Sequence, residues 1–535
     1  MTRNTLGAIL TSLTLLATLT ANAAEKTGTP NILLIMADDL GFTDLGSFGS
    51  EIETPNLDQL ALQGVRLTNF HAGASCAPSR AMLLTGTDNH IAGVGAQQGL
   101  VAPSQQGSPA YRSELDPNLP TIAELLRAAN YQTLAVTKWH VGKQASALPG
   151  ARGFDRSFAL LEGAAQHFGG GPAMEGMGAT FVEDDKPTTV PKNSYSTDFM
   201  TDKMISYLSE IKTDQPFFAL LGVTAPHWPL QAPAETINKY KGKYRAGWEA
   251  LRDKRLQGAI RQGIIPEGSS AVLTEPGVAD WDSLSDEEQT RQAITMAVYA
   301  AMIDNLDANI GRLITYMEER GVLENTIIIF LSDNGAEAFQ MELFANRSGW
   351  IDRNFSSAIE DMGSANSYLS LGPSWTRAVT APLRDSKINL AEGGVRVPAF
   401  ITLPGTSQGT VDTSYMTIMD IAPTLLEAAG APLAPHFRGR SQLQRVQGGV
   451  PAYGPTDIIA FELFGRRSVT QGKWKALYQN PPYGPGEWQL YDLTADPGEQ
   501  EDLSLKHPEL RQSLIEAWDD YAKEVGVILP DRTYR

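Results

Sequence analysis

Asn31-Ile-Leu-Leu-Ile-Met-Ala37 carries no charge and runs directly into Asp38-Asp39. Three later segments share that design. Thr133-Leu-Ala-Val-Thr137 runs into Lys138-Trp-His140, Phe217-Phe-Ala-Leu-Leu-Gly-Val223 into Thr224-Ala-Pro-His227, and Thr326-Ile-Ile-Ile-Phe-Leu331 into Ser332-Asp333-Asn334-Gly335. A short apolar run, often β-branched and without period-2 alternation, is the pattern of a strand buried on both faces.

Helical stretches separate these runs. Leu57 to Gln63 follows Thr54-Pro55 and stops at Gly64. Thr121 to Ala129 follows Pro120, Asp198 to Glu210 comes next, and a long stretch from Glu287 to Arg320 stops at Gly321. Strands alternating with helices imply an α/β fold with a large, mostly parallel or mixed central sheet flanked by helices. Such sheets bind ligands at the C-terminal ends of their strands. The architecture therefore gathers Asp38, Asp39, Lys138, His140, His227, Asp333 and Asn334 along one edge.

The last hundred or so residues have another rhythm. Asp457 to Phe464, Ser468 to Thr470, Trp474 to Tyr478 and Glu487 to Leu493 read as short strands. Pro508 to Val525 reads as a closing amphipathic helix. We expect a catalytic α/β domain over 24–440 and, over 441–535, a smaller subdomain of antiparallel sheet plus helix. Residues 240–285 and 340–375 look like insertions near the mouth of the site.

Composition narrows the function. The chain has 535 residues, 42% of them hydrophobic, enough for a real core. Its formal net charge of −18 argues against a general nucleic-acid binder, which needs a basic footprint. Arg3, the apolar Leu6–Leu19 stretch and Ala21-Asn22-Ala23 form a signal-peptide pattern over residues 1–23. No other run is long enough to span a membrane. The expected product is soluble and periplasmic or secreted. Its one cysteine, Cys76, can form no internal disulfide, and it lies in a polar, turn-rich stretch where a buried structural thiol is not expected.

Asp38-Asp39 and Asp333-Asn334 offer four oxygen-bearing side chains, the hard donors that calcium and magnesium prefer. Neither pair contains His or Cys, which disfavours zinc. Lys138 and His140 share a side if their strand continues. Arg80 lies one turn after Cys76 if a helix starts there. With His227 and Lys387 these groups could form a cationic pocket for an anion beside a divalent metal, as sulfuryl or phosphoryl transfer requires.

Cys76-Ala-Pro78-Ser79-Arg80-Ala-Met-Leu83-Leu-Thr85-Gly86 resembles the first signature of the type I sulfatases. Tyr131 through Lys138-Trp-His140 resembles the second. Pro30 to Asp39, Ser332-Asp333-Asn334-Gly335, and Lys387 upstream of Glu392-Gly393-Gly394-Val-Arg396 also match the family, part of the alkaline-phosphatase-like superfamily. The resemblance is greatest to secreted bacterial arylsulfatases. It departs at Thr137, where many relatives have Gly. The resemblance implies that a maturation enzyme oxidises Cys76 to Cα-formylglycine, recognising Pro78 and Arg80. One hydroxyl of the hydrated aldehyde would attack sulfur to give a covalent sulfate ester, and the other would expel sulfate. Asp38, Asp39, Asp333, Asn334 and the modified Cys76 would hold one Ca²⁺. Arg80 would orient the diol, Lys138 and Lys387 would bind sulfate, and His140 would act as base. His227, together with Lys387, would protonate the leaving oxygen. Aryl sulfates are the expected substrates. A phosphonate monoester or phosphodiester hydrolase of the same superfamily is the alternative. A non-catalytic binder of sulfated glycans would lack Cys76, Arg80 or Lys138, and all three are present.

Overall fold

The computed structural model describes residues 28–212, 215–271, 278–346, 349–405 and 409–532. The signal-peptide stretch lies outside them. The four apolar runs are adjacent, parallel strands at the centre of a ten-stranded sheet. Their order is Thr326–Ser332, Asn31–Ala37, Phe217–Gly222 and Gln132–Lys138. The sheet continues through parallel Arg156–Leu160 on one side and antiparallel Ala399–Thr402 on the other. It is therefore mixed, as expected.

The two-sided burial is literal. Leu33 and Ile35 enter one hydrophobic core, while Ile32, Leu34 and Met36 enter the other. The first core is covered by the long helix Asp286–Glu319 through Met296, Leu306 and Ile310. The second is covered by helices Cys76–Thr85, Ile122–Ala128 and Ile421–Ala428 through Leu83, Leu126 and Leu425. Each such side chain contributes roughly 1.5–3 kcal/mol on burial. A charge at either face of Asn31–Ala37 would therefore disrupt a whole layer. Helix starts follow local chemistry. Thr121 with Glu124, and Ser285 with Glu288, each form a capping box.

Thr137 pairs in register with Gly222 on the neighbouring strand. A Cβ at Gly222 would overlap Thr137 Oγ1. The departure from the family's glycine is thus accommodated by a glycine across the ladder.

The C-terminal sheet has the expected form. Ile458–Leu463, Arg466–Gln471, Trp474–Tyr478 and Trp488–Asp492 are consecutive antiparallel strands. Helix Pro508–Val525 packs Leu514, Trp518, Tyr521 and Val525 onto Ala460, Val469, Ala476 and Leu490. Among the described residues no helix is long and apolar enough to cross a membrane.

Candidate active site

The central strands end in the polar residues read from the sequence, and their side chains meet. Asp38 and Asp39 follow Ala37 at the end of its strand. Asp39 has φ +68°, a left-handed turn that reverses the chain there. Its backbone N–H faces Asp333 Oδ1 at 3.4 Å, and its Oδ1 accepts a 2.7 Å bond from Asn334 Nδ2. Gly335 allows this loop to lie against Gly393, whose carbonyl oxygen a Cβ at 335 would strike. The Asp333-Asn334 and Glu392-Gly393-Gly394 motifs are therefore one contact surface.

Cys76 opens helix Cys76–Thr85, so Arg80 is one turn along, as expected. The thiol Sγ lies 3.5 Å from Asp38 Oδ1 and 4.0 Å from Asp39 Oδ1. Arg80 donates to Asp333 Oδ2 from Nε (2.9 Å) and Nη2 (2.7 Å), and from Nη1 to the Lys138 carbonyl. Lys138 Nζ holds Asp38 at 2.7 and 2.9 Å. Lys387 Nζ holds Asp39 at 2.8 Å and lies 3.4 Å from Glu337. His227 Nε2 is 3.6 Å from Asp39 Oδ2. Its Nδ1 faces the Trp228 carbonyl at 2.8 Å, so Nδ1 carries the hydrogen and Nε2 of the neutral ring presents its lone pair to the site.

His140 reaches the cluster by a different route from the one the sequence suggested. The strand ends at Lys138, and His140 adopts φ +58°. A left-handed turn, rather than strand alternation, turns the ring toward the same cavity as Cys76. His140 Nδ1 is buried without a hydrogen-bond partner.

Burial and neighbouring charge set the protonation states. Burial pushes Asp38 up to about 7 against the pull of Lys138. Burial also raises the Cys76 thiol, with Asp333 adding to it. A free thiol here is a poor nucleophile. Burial and Lys138 hold both His140 and His227 well below the ordinary imidazole value. Lys387 is held well above its usual range by Asp39, in spite of its burial.

The donors fit a divalent cation, with carboxylate oxygens that suit calcium. Cys76 and His227 add sulfur and nitrogen atoms that the sequence reading of an all-oxygen set did not include. Metal-binding atoms of Asp38, Asp39, Cys76 and His227 lie within 4.8 Å of one another. Asn334 Oδ1 is buried with no partner beside them. Asp333 stands outside that tightest group because its Oδ2 is turned to Arg80. His227 joins it, although the sequence reading gave that residue to the leaving group.

Above the cluster is a cavity of about 430 Å³ that contains Cys76, His140, His227 and Lys387. The 340–375 segment does shape its mouth, through Met341 and Phe344. Among the described residues, none of the 240–285 segment lines it. Its Trp248 and Trp281 pack instead with Trp375, and its Arg255 pairs with Asp44 and Glu51. The sequence reading missed Glu337, a buried carboxyl on the cavity wall beside Lys387. Its position four residues after Asp333, in the same loop, was the available signal. It also missed Arg466 and Tyr483, brought to the cavity by the C-terminal sheet.

A sequence model of the Sulfatase family matches residues 30–431. The chain is 41% identical to an uncharacterized sulfatase of Schizosaccharomyces pombe over 530 residues, covering 95% of this chain and 96% of that one. It is 36% identical to an arylsulfatase of Klebsiella aerogenes over 415 residues, covering 77% and 88%. The solved structure of Ps i-CgsB superposes with a TM-score of 0.67 at 24% identity, covering 95% of each chain. The chain belongs to the sulfatase family, and sulfate-ester hydrolysis is the activity this kinship supports.

Proposed function

We propose that this protein is an exported, calcium-dependent arylsulfatase whose nucleophile is a formylglycine made from Cys76. The observation that carries the reading is the convergence of Cys76 Sγ with Asp38 and Asp39, ringed by Arg80, Lys138 and Lys387. A raised, buried thiol is unsuited to attack, whereas the motif around it suits enzymatic oxidation. Hydrated formylglycine supplies two geminal hydroxyls, one to take the sulfuryl group and one to release it.

Asp38, Asp39, Asp333, Asn334 and residue 76 would hold Ca²⁺, which supplies positive charge beside sulfate and the nucleophile. The chain's own groups do the rest. Arg80, fixed to Asp333, orients residue 76 from one helical turn away. Lys138 and Lys387 bring N–H donors to the sulfate oxygens. His140 is neutral and has an unpartnered ring nitrogen, so it can accept the proton from residue 76. Lys387, protonated beside Asp39, would serve the leaving oxygen as donor, and His227, neutral with Nε2 as acceptor, would join it only after taking up a proton.

The test is expression with a formylglycine-generating enzyme, followed by mass analysis of the residue-76 peptide and a sulfate-release assay on an aryl sulfate. Activity in protein whose Cys76 is entirely thiol would refute the nucleophile. Faster turnover of a phosphonate monoester would favour the superfamily alternative.

A further inference from the structure

Four arginines stand among the largest fully buried side chains: Arg80, Arg152, Arg255 and Arg466. Three of them have a carboxylate partner. Arg80 meets Asp333, Arg152 meets Glu124, and Arg255 meets Asp44 and Glu51. Arg466 makes no ion pair among the described residues. Its Nε donates to Asn389 Oδ1 at 3.1 Å, its guanidinium stacks 4.4 Å from the Tyr483 ring centroid, and its Nη1 is buried without a hydrogen-bond partner. Asp385 and Glu462 act on it only from beyond ion-pair distance, and a buried charge without a contacting opposite charge is costly to keep.

Arg466 lines the same cavity as Cys76. It enters from the C-terminal sheet, as the first residue of strand Arg466–Gln471. Tyr483, on which it stacks, also lines the cavity. Much of the remaining wall is apolar: Met174, Met177, Trp228 and Met341. The thioethers and indole of this stretch suit a flat aromatic group, while Gln97, Gln98 and Glu337 supply the polar part of the lining. The cavity thus has a cationic sulfate end at Lys387, an apolar wall, and a second cation supplied by Arg466.

We propose that Arg466 is an anion-binding subsite for the leaving group, and that the preferred substrate is an aromatic sulfate ester whose ring carries a carboxylate. This rests on the sulfatase reading and narrows it. A planar guanidinium whose Nη1 has no partner can pair with a carboxylate through a short, charge-assisted bond.

Binding is measured by calorimetry in the Cys76→Ala protein with calcium chloride, so no turnover is needed. The probes are 4-carboxyphenyl sulfate, phenyl sulfate and 4-(trimethylammonio)phenyl sulfate. The expected order of affinity is carboxylated, then unsubstituted, then cationic, with at least tenfold between the first and second. Adding Arg466→Met should remove that tenfold preference and change phenyl sulfate binding by no more than about twofold. Arg466→Lys should restore part of it. Equal affinity for the anionic and cationic esters in the Arg466 protein would overturn the proposal, even if no Arg466 variant folds. So would an equal loss on the carboxylated and unsubstituted esters in Arg466→Met. Separately, matured enzyme that releases no sulfate from phenyl sulfate would overturn the arylsulfatase reading and leave the binding result to judge Arg466.

Discussion

His90 ties the two parts of the chain together, and that tie should be lost in alkali. The ring is buried, with Nδ1 3.0 Å from Asp88 Oδ1 and Nε2 3.0 Å from Glu462 Oε2. Tyr521 of the C-terminal helix donates to the other Asp88 oxygen at 2.7 Å. Burial disfavours the imidazolium, yet Asp88 and Glu462 overcome it and raise His90 from 6.5 to about 9. A pKa raised on folding contributes stability that is complete below the unfolded value and fades as pH rises through the folded one. At 1.36 kcal/mol per pH unit, the window from 6.5 to 9 corresponds to about 3 kcal/mol. His90→Gln should remove this dependence and should destabilise the protein by about 3–5 kcal/mol at pH 6, because two buried carboxylates lose their cation. The assay is urea unfolding of both proteins at pH 6, 7.5 and 9.5. The gap between them should be widest at pH 6 and shrink by about 3 kcal/mol at 9.5. A gap that stays constant with pH would refute the charged-histidine account.

Gly222→Ala should cost about 1–3 kcal/mol through overlap with Thr137 Oγ1, and Thr137→Gly should recover most of it; additive losses in urea unfolding would refute the pairing. In Cys76→Ser a single hydroxyl replaces two, so one alcohol should be released per site, with sulfate retained on residue 76 by intact mass; steady turnover would count against the diol mechanism. Asp333→Ala removes both a proposed metal ligand and the Arg80 partner, and should lower activity by orders of magnitude. Metal analysis should find about one calcium in the parent protein and far less in the variant, while stoichiometric zinc in the parent would refute the oxygen-donor reading.

The fold was legible where burial is symmetric. Ile32–Ala37 and Ile327–Leu331 sit between two cores, so each of these residues faces apolar contacts and the run shows no gaps. The polar residues at the ends of those strands were legible for the same reason, because charge can begin only where the sheet stops. The route by which His140 enters was hidden, since it depends on one positive φ that the sequence does not mark with glycine. Arg466 was hidden more deeply. Its proposed role depends on its having no carboxylate in ion-pair contact, and partners such as Asn389, 77 positions away, are set by packing between distant segments. The described part of the 240–285 segment packs away from the site, because length and irregularity are shared by loops that frame a site and loops that pack elsewhere.

The charges of the cluster also suggest what it is built to hold. Asp38, Asp39 and Asp333 face Arg80, Lys138 and Lys387, so these groups cancel when all are ionised, with Glu337 beside Lys387 counted as neutral because burial pushes its carboxyl up. A divalent cation among them leaves an excess of two positive charges. A sulfate monoester brings one negative charge and leaves one positive charge uncompensated. In the proposed mechanism, as the bond to the leaving oxygen breaks, negative charge on the reacting atoms spreads toward that oxygen, near Lys387. The uncompensated cation therefore favours the transition state over the bound ester, and only such a difference raises the chemical rate. Free sulfate and phosphate carry two charges and would satisfy the excess fully. The same design that speeds bond cleavage should thus make the enzyme sensitive to these dianions at millimolar concentration. Kinetics indifferent to them would mean that the three cations are fully occupied by their carboxylates and do not face the substrate.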